Sequence, residues 1–439
     1  MKVLKFGGTS VGNAGRIKHV ATLTTSGQPG NIVVLSAMSG TTNSLVEISE
    51  YLYKGNVPGA QETLNALHSK YLGVADELFE GDPTLRAAAM ARLETSFGTI
   101  RSFFGDNFSE SAEKEILAQG EIMSTALMQE YLRGQGVEAV MLPALEYMRT
   151  LDSGEPDVTY ITTRLRRMLE MQPGARLYLT QGYICRNSHG GIDNLKRGGS
   201  DYTASIIGAV LEAEEIQIWT DIDGMHNNDP RYVDNTDAVG ELHFEEAAEL
   251  AYFGAKILHP SCVLPAKLHN IPVRLLNTME PEAAGTLIYN APAGGGIKAV
   301  AAKDNITAIK IKSGRMLLAY GFLHRVFETF ENHRTAIDMM ATSEVAVSVT
   351  IDNDSRLAAI VDDLKDFSTV TVDRDMVIIC VVGDLRWQNR GLCARVLEAL
   401  SDVPVRMVSY GGSDFNISVL VRRDDKVRAL RALSQYLFN

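Results

Sequence analysis

The sequence predicts an α/β protein: a parallel sheet covered by helices, followed by two small α+β modules. Three observations lead there. Asn31-Ile-Val-Val-Leu35 is a continuous apolar run, the pattern of a strand buried on both faces as parallel strands are. Strand-like runs at Val3–Phe6 and Glu215–Thr220 pass directly into glycine-rich or acidic segments, and open α/β sheets bind ligands at the carboxyl ends of their strands. In the last third, Gly321-Phe-Leu-His-Arg-Val-Phe-Glu328 recurs as Gly391-Leu-Cys-Ala-Arg-Val-Leu-Glu398, and Val345-Ala-Val-Ser-Val349 as Phe415-Asn-Ile-Ser-Val419. Each copy reads strand, helix, strand, strand, the pattern of a ferredoxin-like module.

The first strand ends on Lys5-Phe6 and runs into Gly7-Gly8-Thr9-Ser10-Val-Gly12, with a helix from about Ala14 to Thr24. Strand, glycine turn and helix form a phosphate-binding corner, with Lys5 as a point charge for phosphoryl oxygens. Neither the GxxxxGK[ST] nor the GxGxxG spacing is present, and a buried first strand with a tight turn is the alternative. After the second strand, Ser36-Ala-Met-Ser-Gly-Thr-Thr-Asn43 places small hydroxyls at a carboxyl end. From Leu45 to about Phe104 the pattern is helical and amphipathic, punctuated by Pro58, Gly73 and Pro83, and nothing in this insertion suggests chemistry. Glu113 to Glu121 leads into a helix Ile122–Leu132; a helix glutamate such as Glu121, taken alone, reads as a solvated charge.

A further strand at Arg176–Gly182 precedes Asn194-Leu-Lys-Arg-Gly-Gly-Ser-Asp-Tyr-Thr-Ala204, which packs Arg197, Gly198, Gly199, Ser200 and Asp201 in front of an apolar helix Ala204–Leu211. A helix N-terminus offers unpaired N–H groups and partial positive charge, and Arg197 adds a fork suited to a carboxylate. A capped glycine turn without ligand is the plainer reading. Beyond the strand Glu215–Thr220, the loop Asp221-Ile-Asp-Gly-Met-His-Asn-Asn-Asp-Pro-Arg231 offers acids and a base suited to nucleotide and magnesium; an EF-hand is excluded, because Tyr232 stands where its bidentate glutamate belongs. A helix Phe244–Tyr252 ends at Gly254, followed by Ala255-Lys256-Ile-Leu-His-Pro260, where proline is expected to stop the next turn. Ala291-Pro-Ala-Gly-Gly-Gly296 is a connector and sets the main domain boundary.

At 439 residues, 45% hydrophobic and 22% charged, the chain has globular composition and room for roughly three domains. Its net charge of −12 argues against a general nucleic-acid or membrane surface, so an anionic ligand must be met by local bases and amides. The four cysteines, Cys185, Cys262, Cys380 and Cys393, show neither disulfide nor zinc spacing. The opening residues reach Gly7-Gly8 before any signal-like apolar region forms, and no apolar run of ~18 residues follows, so a cytoplasmic protein is expected.

Lys5-Phe-Gly-Gly-Thr-Ser10, Arg197-Gly-Gly-Ser-Asp-Tyr202, Thr220-Asp-Ile-Asp-Gly224, Asp229-Pro-Arg231 and Phe253-Gly-Ala-Lys-Ile-Leu-His-Pro260 together resemble the aspartate kinases, and the paired C-terminal modules look like the ACT domains of that family. The resemblance implies an amino-acid-kinase α/β/α sandwich over residues 1–293, with the helical insertion at about 45–115, and a regulatory region 297–439 of two ACT domains, about 305–375 and 376–439, the strand near 297–302 joining the second. It implies transfer of the ATP γ-phosphoryl group to the side-chain carboxylate of L-aspartate, giving 4-phospho-L-aspartate, the first step towards lysine, threonine and methionine. That nucleophile, with a pKa of about 3.9, is already ionised at neutral pH, so no general base is needed and Lys5, amides and Mg²⁺ must neutralise the transferring charge.

Carried over residue by residue, the family pattern makes Lys5 and Asp201 catalytic, with Asp201 orienting substrate, lysine or metal. It gives Arg197 the α-carboxylate of aspartate, Glu121 its α-ammonium, and Ser36, Thr42 and Ser200 hydroxyl contacts. ATP is expected against Lys5, Gly7, Gly8, Thr220, Asp221, His226, Arg231 and Lys256; His226 stands where the family commonly has tyrosine, and Lys196 where it has glycine. The implied effector pocket is Met316, Gly321, Phe322, Leu323, Ile337, Asp338, Thr342 and Ser343, with lysine the leading effector, although Ala319 and Ala336 replace serines common in lysine-sensitive relatives. Pairing through the ACT domains into at least a homodimer is expected, because small modules expose sheet edges that pairing covers. Two rivals are a related kinase acting on glutamate, carbamate or a nucleoside monophosphate, and a catalytically silent amino-acid sensor.

Overall fold

The computed structural model describes residues 1–438 except 106–107, 196–197, 255–259, 291–293, 295, 313–319 and the side chains of 260 and 261. The chain forms two compact units, one of Met1–Gly224, Gly240–Phe244 and Leu258–Ala291, the other of Met225–Val239, Glu245–Ile257 and Pro292–Asn439. Two stretches of the expected kinase region thus group with the C-terminal unit.

In the first unit the order is β1 (Lys2–Phe6), α1 (Ala14–Ser26), β2 (Asn31–Leu35), α2 (Thr41–Tyr53), α3 (Val57–Leu78), α4 (Pro83–Arg101), α5 (Glu110–Gly134), β3 (Ala139–Met141), α6 (Ala144–Tyr147), α7 (Val158–Met171), β4 (Leu177–Gln181), β5 (Ile184–Arg186), β6 (Ile192–Asn194), α8 (Gly199–Leu211), β7 (Glu215–Thr220) and β8 (Glu241–His243). After α9 (Phe244–Tyr252) come α10 (Pro260–Leu268), β9 (Val273–Asn277) and β10 (Thr286–Tyr289). Eight strands pair in the order β3-β4-β2-β1-β7-β9-β10-β8, parallel throughout except β9 against β10. The chain winds from β1 towards β4 on one side and from β7 towards β9 on the other, so the switch point lies between β1 and β7. Every residue of β2 and β4 is buried, the polar Asn31, Thr180 and Gln181 included, as expected of strands covered on both faces.

Caps explain the helix starts. Asn13 Oδ1 accepts from Arg16 N to open α1, Asp82 Oδ1 accepts from Leu85 N with Pro83 in the first turn of α4, and Ser109 Oγ accepts from Ala112 N to open α5. Three expectations are corrected. Gly73 does not interrupt the insertion; it lies inside α3, where buried Tyr71, Val74 and Ala75 outweigh the roughly 1 kcal/mol that a helical glycine costs. The helix expected at Ile122 begins twelve residues earlier at Glu110 (122 − 110 = 12), because Ser109 caps it and the charged run Glu113–Glu115 continues its first turns half-buried. Pro260 begins α10 rather than stopping a turn, since proline has no N–H to lose at a helix start.

The second unit contains β11 (Ile297–Lys312), α11 (Phe322–Asn332), β12 (Met339–Thr342), β13 (Ala346–Ile351), α12 (Leu357–Lys365), β14 (Thr369–Gly383), α13 (Leu392–Ala399), β15 (Met407–Tyr410), β16 (Asn416–Arg422) and α14 (Lys426–Leu437). One six-stranded antiparallel sheet, β12-β13-β11-β14-β16-β15, joins both modules. β11 and β14 run through both: the start of β11 pairs with the end of β14, its end with the start, and the register shifts between Lys303 and Ile306 at the left-handed Asn305. Each module keeps its own core, around Val326, Phe330 and Ile360 in the first and Val396, Val419 and Leu430 in the second.

Candidate active site

The carboxyl ends of four adjacent strands align. Gly7 N donates to Trp219 O at 3.2 Å, Ser36 N to Phe6 O at 3.2 Å, and Gly182 N to Leu35 O at 2.9 Å, so Gly7, Ser36, Gly182 and Thr220 leave β1, β2, β4 and β7 side by side. Lys5, in the middle of the sheet, is 9% exposed. Its Nζ lies 2.7 Å from Asp201 Oδ1, an ion pair that stands off the hydrogen-bonding direction. A Cβ on Gly8 would come within 2.7 Å of Ala37 O, so at that position the turn can approach its neighbour only as backbone.

Asp201 is delivered by the first turn of α8, which follows the left-handed Gly198 without a side-chain cap. The turn is locked onto β4: a Cβ on Gly182 would fall 2.4 Å from the Ser200 side chain, and one on Gly199 2.7 Å from the ring of Tyr183. Amides of an uncapped helix start and the Lys5 ammonium therefore share one end of the sheet, the setting in which transferred anionic charge is stabilised.

Glu121 is no solvated charge. It is 4% exposed in the middle of α5, and its Oε1 accepts from Ala37 N at 3.2 Å. Burial pushes its carboxyl up to about 8. Helix α5 is pinned to the same loop by Ser124 Oγ, which donates to Ser36 O at 2.8 Å.

The structure brings Lys5, Gly7, Gly8, Ser36, Glu121, Ser200, Asp201 and Thr220 to one end of the sheet. Thr42 is exposed in the first turn of α2, whereas its neighbour Thr41 is buried against Tyr71 OH at 3.1 Å. Thr220 Oγ1 donates to Asp221 Oδ1 at 3.1 Å. His226 and Arg231 belong to the second unit, where His226 Nδ1 is 2.9 Å from Thr236 Oγ1 and Arg231 forks onto Asp229, Nη2 to Oδ2 at 2.6 Å. Arg197, Lys196, Lys256 and Met316 lie outside the described residues.

Sequence reasoning missed Tyr183 and the contribution of the helical insertion. Tyr183 has φ 66°, rare for a tyrosine, and burial together with the Glu121 charge pushes its hydroxyl up to about 12. Only its place after Gly182 at a strand end hinted at a role. Lys70 of α3 donates to Ser39 O, and its neighbour Tyr71 reaches Thr41, so the insertion supports the Ser36–Thr42 loop.

Of the expected effector residues, Gly321 caps α11 with φ 89°, Phe322 is packed on Phe367, and Leu323 is 37% exposed. Ile337 packs on the core of the first module, and Ser343 N donates to Ala346 O while Thr342 Oγ1 bonds Ser343 O at 3.3 Å. Asp338 is buried, with a side chain 1% exposed; Lys303 Nζ lies 2.7 Å from its Oδ1.

An open, mostly parallel sheet with a lysine–carboxylate pair, glycine amides and a helix start gathered at its switch point defines a phosphotransferase of the α/β class. The model of the amino acid kinase family matches residues 1–277, and an ACT domain model matches residues 379–437. Lysine-sensitive aspartokinase 3 of Escherichia coli is 32% identical over 99% of both chains. The solved structure of E. coli aspartokinase III with aspartate and ADP superposes with a TM-score of 0.85 at 32% identity over the whole of both chains, and that of its complex with lysine and aspartate with 0.84. The chain belongs to the aspartokinases, the ATP-dependent aspartate kinases of the amino acid kinase family. No described helix is long and apolar enough to cross a membrane.

Proposed function

We propose that this aspartate kinase works by charge neutralisation around Lys5. Lys5 and the Gly7 and Gly8 amides meet the transferring γ-phosphoryl group, and Asp201 holds the Lys5 ammonium in line through the 2.7 Å pair. Arg197 takes the α-carboxylate of aspartate, Glu121 its α-ammonium, and Ser36, Thr42 and Ser200 supply hydroxyls. The single observation carrying this reading is Glu121, a buried carboxylate opening on the same strand ends as Lys5. The substrate ammonium ionises it, and the β-carboxylate of the same small molecule is then left towards the phosphoryl position.

For the nucleotide the proposal keeps the contacts that the family pattern implies: Thr220, Asp221, His226, Arg231 and Lys256. Mg²⁺ carried on nucleotide phosphates needs only one or two protein carboxylates, and Asp201 is the one beside Lys5. Bound there, Mg²⁺ neutralises phosphate charge.

Lysine is the proposed effector, at Gly321, Phe322, Leu323, Ile337, Asp338, Thr342 and Ser343 with Met316. The E. coli relative is named lysine-sensitive and has been solved with lysine. A cytoplasmic homodimer joined through residues 297–439 completes the reading; sedimentation of a fully active monomer at micromolar concentration rules out that assembly. The test of the activity is ADP release with aspartate, glutamate and carbamate in turn, with and without lysine. Aspartate alone should support turnover; equal rates with carbamate, which has neither an α-carboxylate nor an α-ammonium, would refute the roles given to Arg197 and Glu121.

A further inference from the structure

Helix α9 is fastened to the regulatory sheet along one face. Glu246 pairs with Lys298 at 2.8 Å, Glu249 accepts from Asn416 Nδ2, and Tyr252 OH donates to Asp338 Oδ1 at 2.9 Å, three anchors spaced three residues apart. The last anchor differs from the others. Asp338 is almost wholly enclosed, yet its Oδ2 has no hydrogen-bond partner among the described residues. Its Oδ1 serves both Tyr252 and Lys303, whose ammonium also lies 2.9 Å from Asp352 Oδ2 and 4.4 Å from the centre of the Tyr252 ring. Lys303 sits where β11 shifts register against β14. Asp352 is 43% exposed, so it can keep the ammonium in water-accessible surroundings.

We propose that Lys303 is a resident cation on Asp338, that an effector carrying a free ammonium group must displace it towards Asp352, and that Tyr252 passes this exchange to α9. The proposal rests on the reading that Asp338 belongs to the effector pocket. Two ammonium groups on the one enclosed carboxylate repel each other at short range, and Asp352, already 2.9 Å from Lys303, is the charge onto which Lys303 can move when a second ammonium takes Oδ2. Tyr252 shares Oδ1 with Lys303, so the exchange changes what holds the end of α9. Phe253, Gly254 and the proposed nucleotide residue Lys256 follow Tyr252 in the chain.

The test is calorimetric titration of the full chain with L-lysine, with threonine and methionine in parallel, on wild type, Lys303→Met, Lys303→Arg and Tyr252→Phe. If Lys303 occupies Asp338 most of the time, Lys303→Met binds lysine at least about tenfold tighter. Lys303→Arg, whose fork spans both carboxylate oxygens, binds at least about tenfold weaker, so the argument stands on this variant even where the methionine variant does not fold. Tyr252→Phe keeps the wild-type affinity within about threefold but loses more than half of the inhibition, since only the link to α9 is cut. Lysine binding by the variant Lys303→Met but not by wild type also supports the exchange. Equal affinity in wild type and both Lys303 variants overturns the exchange and leaves the pocket standing. No binding of any of the three amino acids by any protein overturns the pocket itself.

Discussion

Each unit holds a lysine on a carboxylate at the same separation, 2.7 Å, and both pairs are largely shielded from water. Their surroundings give them opposite uses. Lys5 and Asp201 stand at strand ends beside backbone amides, where the lysine can be shared with an incoming anion without breaking secondary structure. Lys303 and Asp338 are enclosed between a sheet and α9, with a tyrosine on the same oxygen and Asp352 waiting alongside, so an incoming cation has to compete. An ion pair by itself therefore says little about function. The backbone donors, the free oxygen and the alternative partner around it decide whether it stabilises a transition state or a conformation.

The largest expected effect bears on the first pair. Lys5→Ala should lower turnover by at least ~100-fold while aspartate affinity, measured by calorimetry, changes little, because the lost charge acts on the transferring phosphoryl. Turnover near normal would reduce Lys5–Asp201 to a structural pair and erase the contrast.

Next comes pH. In the free enzyme burial holds the Glu121 carboxyl up at about 8, so below that pH it carries a proton that aspartate's ammonium must expel. Aspartate KM should fall about tenfold per unit as pH rises from about 6 towards 8 and then level off. Glu121→Gln should flatten this profile; a slope that persists in the variant assigns it to another group. The same raised pKa costs the unliganded fold stability as pH climbs from the ordinary carboxylate range to about 8, so its melting temperature should decline over that window.

Arg197→Lys should raise aspartate KM roughly five- to tenfold, more than it lowers turnover, because a point charge does not replace a planar fork. Steady-state kinetics with KM unchanged would remove the two-pronged grip.

The smallest effect compares glycines. A Cβ at Gly182 would stand 2.4 Å from Ser200, and one at Gly254 2.3 Å from Ala302 O. Either alanine variant should lose about 1–3 kcal/mol, read as a lower melting temperature. Gly182→Ala alone should also raise aspartate KM, since it displaces Ser200.

Much was legible in local pattern. Asn31–Leu35, Glu215–Thr220 and Phe244–Tyr252 form the elements their periodicity predicts, because burial on two faces or one helical stripe leaves its mark within a few residues. Lys5 was legible as a charge inside the apolar run Val3–Phe6, and the repeated GFLHRVFE and GLCARVLE stretches announced two modules. Glu121 was not: the same letter suits a solvated turn or a buried carboxylate, and only Ala37, 84 positions away, fixes which. Tyr183's backbone, the reach of Lys70 and Tyr71 into the Ser36–Thr42 loop, and the sharing of β11 and β14 between modules were equally hidden. So was Lys303 on Asp338, joined across 35 residues, with Tyr252 86 residues from the same carboxylate. Periodicity reports what a residue's own segment buries; which distant segment supplies its partner depends on how strands are ordered and how helices cross them, and that is settled only when the chain has packed.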